Sequence, residues 1–138
     1  MTAISAIKDT RRQEGVILPF AVEEATKILE GALVSVNAAG YAVNATDAAS
    51  DRVVGVATKT ADNTSGADGD IHVEVWTDGV HDFISGFSAT IANVGDKVYV
   101  VDNQTVDLAA TTTNDVLVGI VVGVESTSKV RVRLTPYL

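Results

Sequence analysis

The acid–base and metal-ligating side chains of this chain comprise two histidines and eighteen acidic residues, with no cysteine. Asp78, His81 and Asp82 bring a histidine close to two carboxylates, as a divalent-metal site would. His81 and Asp82 are adjacent in a predicted strand, however, and neighbours in a strand point to opposite faces. His72 falls on the outward side of another predicted strand, where an ordinary surface histidine is the simpler reading. The loop from Asp62 to Asp70 is acidic and contains glycine, which invites calcium. Counting from Asp62, the third and fifth positions are Thr64 and Gly66, and no glutamate stands at the twelfth. Gly66-Ala-Asp-Gly69 lacks both the spacing and the following lysine of a phosphate-cradling loop. No nucleophile motif is present, so the residues predict no catalytic group, no cofactor and no metal, and a protein that is not an enzyme.

The elements that would have to position such groups are strands. Asp115-Val-Leu-Val-Gly-Ile-Val-Val-Gly-Val124 is the most continuously apolar stretch, and it has an echo sixty-four residues earlier in Asp51-Arg-Val-Val-Gly-Val56. The same offset carries Gly31-Ala-Leu-Val-Ser-Val36 onto Gly95-Asp-Lys-Val-Tyr-Val100. Each half reads as hairpin, turn, apolar strand, loop and alternating strand. In the first half the alternating strand is Ile71 to Trp76, with Ile71, Val73 and Val75 inward. In the second it is Lys129 to Leu134, with Lys129, Arg131 and Arg133 outward. Asp78-Gly79 has hairpin chemistry and is expected to join Trp76 to a strand at Val80–Ile84. Short strands at this spacing predict an all-β fold, a small antiparallel β-barrel or sandwich from two related halves sharing one core.

Two surfaces stay open at this level. In the apolar run, Leu117, Gly119, Val121 and Gly123 share one predicted face, whose glycines would let another backbone approach closely. That face is a candidate subunit interface, or else it packs against residues 80–92. The outward cations of the last strand either pair across strands with His72 and Glu74 or form a basic stripe for an acidic neighbour.

Residues 1–20 show neither a helical stripe nor a long alternation and are read as an extended N-terminal arm. Residues 21–138 then form a single barrel-like domain. Ala21 to Leu29 is the one plausible helix, with Glu23 and Lys27 spaced for an i,i+4 pair, although an extended lead into the first core strand fits almost as well.

Composition narrows the function classes. With 138 residues the chain can bury roughly two thirds of its unfolded surface, and with aromatics at 5% that core must be built of small branched side chains. Net charge is −8, yet Lys8, Arg11 and Arg12 against Asp9 give the first twelve residues +2, so the remainder carries −10. An acidic body repels phosphate, which argues against nucleic acid as partner, whereas the basic leader suits an acidic protein surface. Val116 to Val124 is far short of the ~20 apolar residues of a membrane span, and no long apolar leader core is present. The expectation is a soluble protein made and used without export, with no membrane partner.

Several stretches taken together carry a resemblance: Lys27-Ile-Leu-Glu-Gly-Ala-Leu-Val34, Gly40-Tyr-Ala-Val43, Val54-Gly-Val-Ala57, Asp62-Asn63, Gly66-Ala-Asp-Gly69 and Val94-Gly-Asp-Lys-Val-Tyr-Val100. In this order, over roughly residues 25–135, the chain resembles the small capsid decoration, or cement, proteins of tailed bacteriophages. The resemblance implies a barrel-like structural protein on the outer surface of the virion capsid, assembled in the host cytoplasm. Its partners would be the major capsid protein and itself, as a homotrimer at local threefold positions. On that reading coat contact falls to the arm, through Ile4, Ile7, Lys8, Arg11, Arg12, Val16, Ile17, Leu18 and Phe20, with Val16 to Phe20 adding backbone hydrogen bonds to an exposed coat strand. The rival is a carbohydrate- or receptor-binding β module on the virion surface, with Trp76, Tyr41 and Tyr99 as its stacking platform.

Overall fold

The computed structural model describes residues 16–135 and the single position Ala6. Twelve strands follow one another: β1 (Ile17–Ala21), β2 (Thr26–Ile28), β3 (Leu33–Val36), β4 (Ala42–Asn44), β5 (Arg52–Ala57), β6 (Ala61–Asn63), β7 (His72–Trp76), β8 (Val80–Ser85), β9 (Lys97–Val100), β10 (Thr105–Asp107), β11 (Leu117–Ser126) and β12 (Lys129–Leu134). One 3-10 turn, Ile91–Asn93, precedes β9. The fold is all-β, as its valine- and threonine-rich alternation requires.

The two halves share one strand order, the second as a closed barrel and the first as an open five-stranded sheet that a single bridge curls into an incomplete barrel. The first sheet runs β1-β7-β5-β3-β4, and the second runs β8-β12-β11-β9-β10 and closes on itself. Closure joins β8 to β10 in parallel, through Ile84–Thr105 and Ser85–Val106, with backbone bonds from Ile84 to Gln104 and from Gly86 to Val106, both 2.9 Å. The first barrel has the corresponding seam, reduced to the single parallel bridge Val22–Ala42 and one bond from the Glu23 N–H to the Ala42 carbonyl at 3.1 Å. Other equivalent bonds recur: Gly31 and Gly95 donate to Ala57 and Val121 at 2.9 and 2.8 Å, and both glycines have positive φ (+85° and +98°) that an L side chain resists.

Each barrel is shaped by a bulge. Val34 and Ser35 pair with Gly55 and Val53, leaving Val54 as the extra residue; Val98 and Tyr99 pair with Gly119 and Leu117, leaving Val118. A two-for-one step switches the faces of the strand. Val54 and Ala57 therefore both reach the first interior, and Val118 and Val121 both reach the second. A Cβ at Gly55 would lie 2.0 Å from the Trp76 carbonyl oxygen, and one at Gly119 would lie 2.0 Å from that of Arg133. Only glycine lets β5 and β11 come this near their neighbours.

Several expectations change. The single core is two: Val22, Ile28, Val34, Val54, Val73 and Val75 fill the first barrel, and Phe83, Val98, Val118, Val121, Val130 and Val132 fill the second. Leu33, Ala45, Val53 and Val56 belong to the first half but join the second cluster, which fastens the barrels together. The nine-residue helix is absent; its residues form the end of β1 and all of β2, the latter paired with β6. Asp78-Gly79 does not make a hairpin. β7 lies between β1 and β5, and β8 lies between β12 and β10, so this turn is the link between barrels. The arm boundary at residue 20 falls inside β1, which pairs with β7 from Ile17–Trp76 to Ala21–His72. The candidate glycine face is split: Gly119 faces its own β12, Val121 is fully buried, and a Cβ at Gly123 would meet the Arg131 stem at 3.5 Å, with Leu117 half-buried.

Gly55→Ala and Gly119→Ala should each lower stability by about 1–3 kcal/mol, because the methyl must displace backbone. Gly123→Ala, against a flexible side chain, should cost well under that. Urea unfolding of the three variants reads the difference, and equal costs at all three sites would contradict the close approach.

Candidate functional site

The groups that could do chemistry are dispersed. His72 and Glu74 face outward on β7, while His81 shares the inner side of its strand with Phe83, and its Nε2 lies 2.9 Å from the Asp78 carbonyl oxygen. Asp82 faces outward and takes Lys129 and Arg131 at 3.9 and 3.7 Å, and Lys129 also meets Glu125 at 3.6 Å. Lys129 and Arg131 thus pair within their own barrel and not with His72 or Glu74, which lie in the other sheet, and the ion pairs among the described residues do not include Arg133. The acids of the 62–70 loop tie the loop to itself and to the chain before β2. Asp62 accepts from the Thr64 N–H and hydroxyl, Asp70 from the Ala67 N–H and Asp68 from the Glu24 N–H, while the buried Asn63 amide donates to Val22, Glu23 and Ala67. The Thr64 hydroxyl, more than any other partner, holds the Asp62 carboxyl below its usual range. Among the described residues, no three His, Cys, Asp or Glu side chains converge as metal ligands.

A small open cleft of about 220 Å³ lies where the barrels meet, lined by Asp51, Arg52, Asn114 and Asp115 among others. Beside it Asp47 clasps the opposite half: its carboxylate accepts the N–H groups of Thr113 and Asn114 at 2.8 and 2.9 Å, and its carbonyl accepts the Asn114 amide at 2.8 Å. The Thr113 N–H is the main cause that holds Asp47 below the ordinary carboxylate range, whereas partial burial pushes Asp51 up. These contacts join the barrels, and the Thr112 hydroxyl donates to the Asp115 carboxylate at 2.6 Å.

What remains is surface. Leu18 and Phe20 turn toward the first interior opposite Val75 and Val73, so Ile17, 42% exposed, and Pro19 stay open on the outer face, Ile17 beside Trp76, 40% exposed. The Val16 carbonyl accepts both the N–H and the hydroxyl of Thr77, at 2.8 and 3.1 Å, which fixes where residues 1–15 join the body: next to Trp76. Ile4, Ile7, Lys8, Arg11 and Arg12 lie outside the described residues. Thr77 bonding to Val16 and Val22 bonding to Ile71 set the phase of β1, so the backbone groups of Ile17, Pro19 and Ala21 face away from β7. Pro19 has no N–H to offer there, which blunts this edge for strand addition. Coat binding by backbone pairing through Val16 to Phe20 therefore meets both a used inner edge and an interrupted outer one.

The equivalent outer rows of the two barrels carry different chemistry. In the first, Leu33, Val56, Trp76 and Ile17 lie side by side across β3, β5, β7 and β1. Leu33 and Val56 are buried by the second half, and Trp76 and Ile17 project past that contact. In the second, the same places hold Lys97, Ile120, Arg133 and Val80, across β9, β11, β12 and β8. Nothing in the described chain covers this row, since Lys97, Arg133 and Val80 are exposed and Ile120 is half-buried. Sequence reasoning missed both rows, because a row is fixed by strand register and not by spacing along the chain. Of the three aromatics considered as a platform, Trp76 and Tyr99 sit in different barrels, and Tyr41 lies against Gly69 in the 62–70 loop.

A scan against protein families and searches of curated proteins and solved structures return no match for this chain.

Two outcomes test the site. Pro19→Val restores the outward N–H of β1 and should leave the fold intact while promoting concentration-dependent association in sedimentation velocity; unchanged behaviour would show that proline does not guard this edge. Asp47 has a folded pKa below its unfolded value, so its clasp stabilises fully above the ordinary carboxylate pKa of about 3.9 and fades as pH falls through the lower folded value. The stability difference between the wild type and Asp47→Ala should therefore be constant near neutrality and shrink below about pH 4. A difference that persists undiminished in stronger acid would remove the carboxylate from the clasp.

Proposed function

We propose that this protein is a structural adhesion protein, a capsid decoration protein that binds the outer surface of a tailed-phage head and fastens neighbouring coat subunits. One observation carries the reading. An uncovered apolar pair, Ile17 and Trp76, stands on the outer face of the first barrel at the place where the basic residues 1–15 join it. Tryptophan and arginine are the side chains that most often concentrate binding energy at protein interfaces, and this junction puts an exposed tryptophan beside a leader with two arginines. The small valine cores and the tied loops supply a rigid carrier, and the resemblance to cement proteins supplies the partner: the major capsid protein, with self-association into a trimer multiplying each contact. Contact through side chains of the outer face replaces strand addition as the mode of docking, since Pro19 interrupts the free edge.

A second reading has one observation in its favour. Trp76 lies two residues from Glu74 on the same face, next to a groove of about 230 Å³ lined by Thr58, Lys59, Thr60, His72 and Glu74. An aromatic face beside hydroxyl, amine and carboxylate groups is a combination that takes a sugar.

Deleting residues 2–14 should abolish co-sedimentation with empty expanded tailed-phage capsids while leaving the circular dichroism spectrum unchanged. Trp76→Ala should weaken that binding tenfold or more, as the loss of an anchor worth about 2 kcal/mol does. If both variants bind as the wild type does, the adhesion surface lies elsewhere. If the wild type does not sediment with capsids but labels a glycan array in a Trp76-dependent way, the sugar reading replaces this one.

A further inference from the structure

The row Lys97–Ile120–Arg133–Val80 is an uncovered copy of a surface whose twin is already a contact. In the first barrel the corresponding Leu33 and Val56 are sealed by another barrel of the same fold, at 0% and 6% exposure. The second barrel keeps the apolar character at Ile120 and Val80 but holds cations where the first has Leu33 and Trp76. Neighbouring Lys129 and Arg131 are neutralised by Asp82 and Glu125, whereas the ion pairs among the described residues include neither Lys97 nor Arg133. These two cations stand two strands apart, about 10 Å, with Ile120 between them.

The chain itself carries the complementary charge. Residues 13–138 are acidic overall, and one end of the first barrel gathers Glu24, Asp62, Asp68 and Asp70 on exposed positions, held together by the Glu24–Asp68 bond and the self-tied 62–70 loop. Lys27, paired in register with Asp62, is the cation among them.

We propose that the Lys97–Ile120–Arg133–Val80 face docks a second copy of this chain, taking up the acidic end of that copy's first barrel. The contact is heterologous: unlike faces meet head to tail, which closes into a ring or runs on as a filament. Charge matching sets orientation and encounter rate, and Ile120 and Val80 supply the area removed from water. The inference rests on the self-association part of the function proposed above and gives it a geometry; it does not need the capsid, so each can fail without the other.

Light scattering after gel filtration tests it. At low salt the wild type should run above the 14.4 kDa of one chain and should fall to that mass near 1 M salt, where the Debye length is about 3 Å. Lys97→Glu/Arg133→Glu should be monomeric at every salt concentration, and so should Glu24→Lys/Asp62→Lys, each with an unchanged circular dichroism spectrum. Mixing the two variants should restore association, because the first keeps the native acidic end, the second keeps the native basic face, and the two reversed surfaces also match in charge. A wild type that is monomeric at low salt and high concentration overturns the proposal without any variant. So does an oligomer indifferent to salt, or a mixture that stays monomeric. Capsid co-sedimentation of the Lys97→Glu/Arg133→Glu variant separates the two readings: binding retained by a monomer leaves capsid attachment standing alone.

Discussion

The approach of one strand backbone to the next at Gly55 and Gly119 is the constraint on which both barrels depend. At each site the strand takes in one extra residue, Val54 or Val118, and the following glycine lies against the carbonyl of β7 or β12. The extra residue changes which side chains face inward, and the missing side chain lets the strand bend sharply enough to wrap. Without the step, Ala57 and Val121 would point to solvent, and each five-stranded sheet would lose the inward residue next to its turn glycine. The bonds from Gly31 to Ala57 and from Gly95 to Val121 fasten that turn to the bulged strand in both halves.

With the inner frame held constant, the outside is where the halves differ. Equivalent positions read leucine and lysine (33 and 97), tryptophan and arginine (76 and 133), proline and aspartate (19 and 82), glutamate and arginine (74 and 131). Interiors stay close: Val34 and Val98, Val54 and Val118, Val73 and Val130, Val75 and Val132. A protein that bound a small molecule inside a barrel would need the opposite pattern, with space and polarity within. Here both interiors are filled mainly by branched aliphatic side chains, and the changes of charge between the copies face outward.

The repeat was legible in the sequence because its signature is local: an aspartate, a valine and a glycine mark the bulge in both halves, and inward valines alternate along β7 and β12. The bulge itself was not, since strict alternation assigns Gly119 and Val121 to one face and says nothing of an inserted residue. β1 escaped notice because five residues with a central proline carry little alternation, and its identity as a strand comes from β7 pairing with it over its whole length. Asp78-Gly79 shows the limit of turn chemistry. The dipeptide bends the chain, but whether flanking strands pair depends on which neighbours already hold their edges. β7 was occupied on both sides and β8 likewise. The cations of β12 were correctly outward, yet their partners Asp82 and Glu125 follow from register that no spacing along the chain encodes.

The seams give the two barrels different mechanical roles. The second closes through a two-residue parallel pair with two backbone bonds of 2.9 Å, and the first through one bridge. Opening of the first seam therefore breaks less structure, and local fluctuation should concentrate where fewest bonds must be broken. That seam borders β1, the strand to which residues 1–15 are joined, and β1 is held chiefly by β7. A pull on the leader reaches first the Val16 carbonyl with its two bonds from Thr77, then the five paired residues of β1, and only then the seam. The barrel that carries the leader is the looser one, and its outer residues Leu33 and Val56 are anchored in the core cluster of the tighter one.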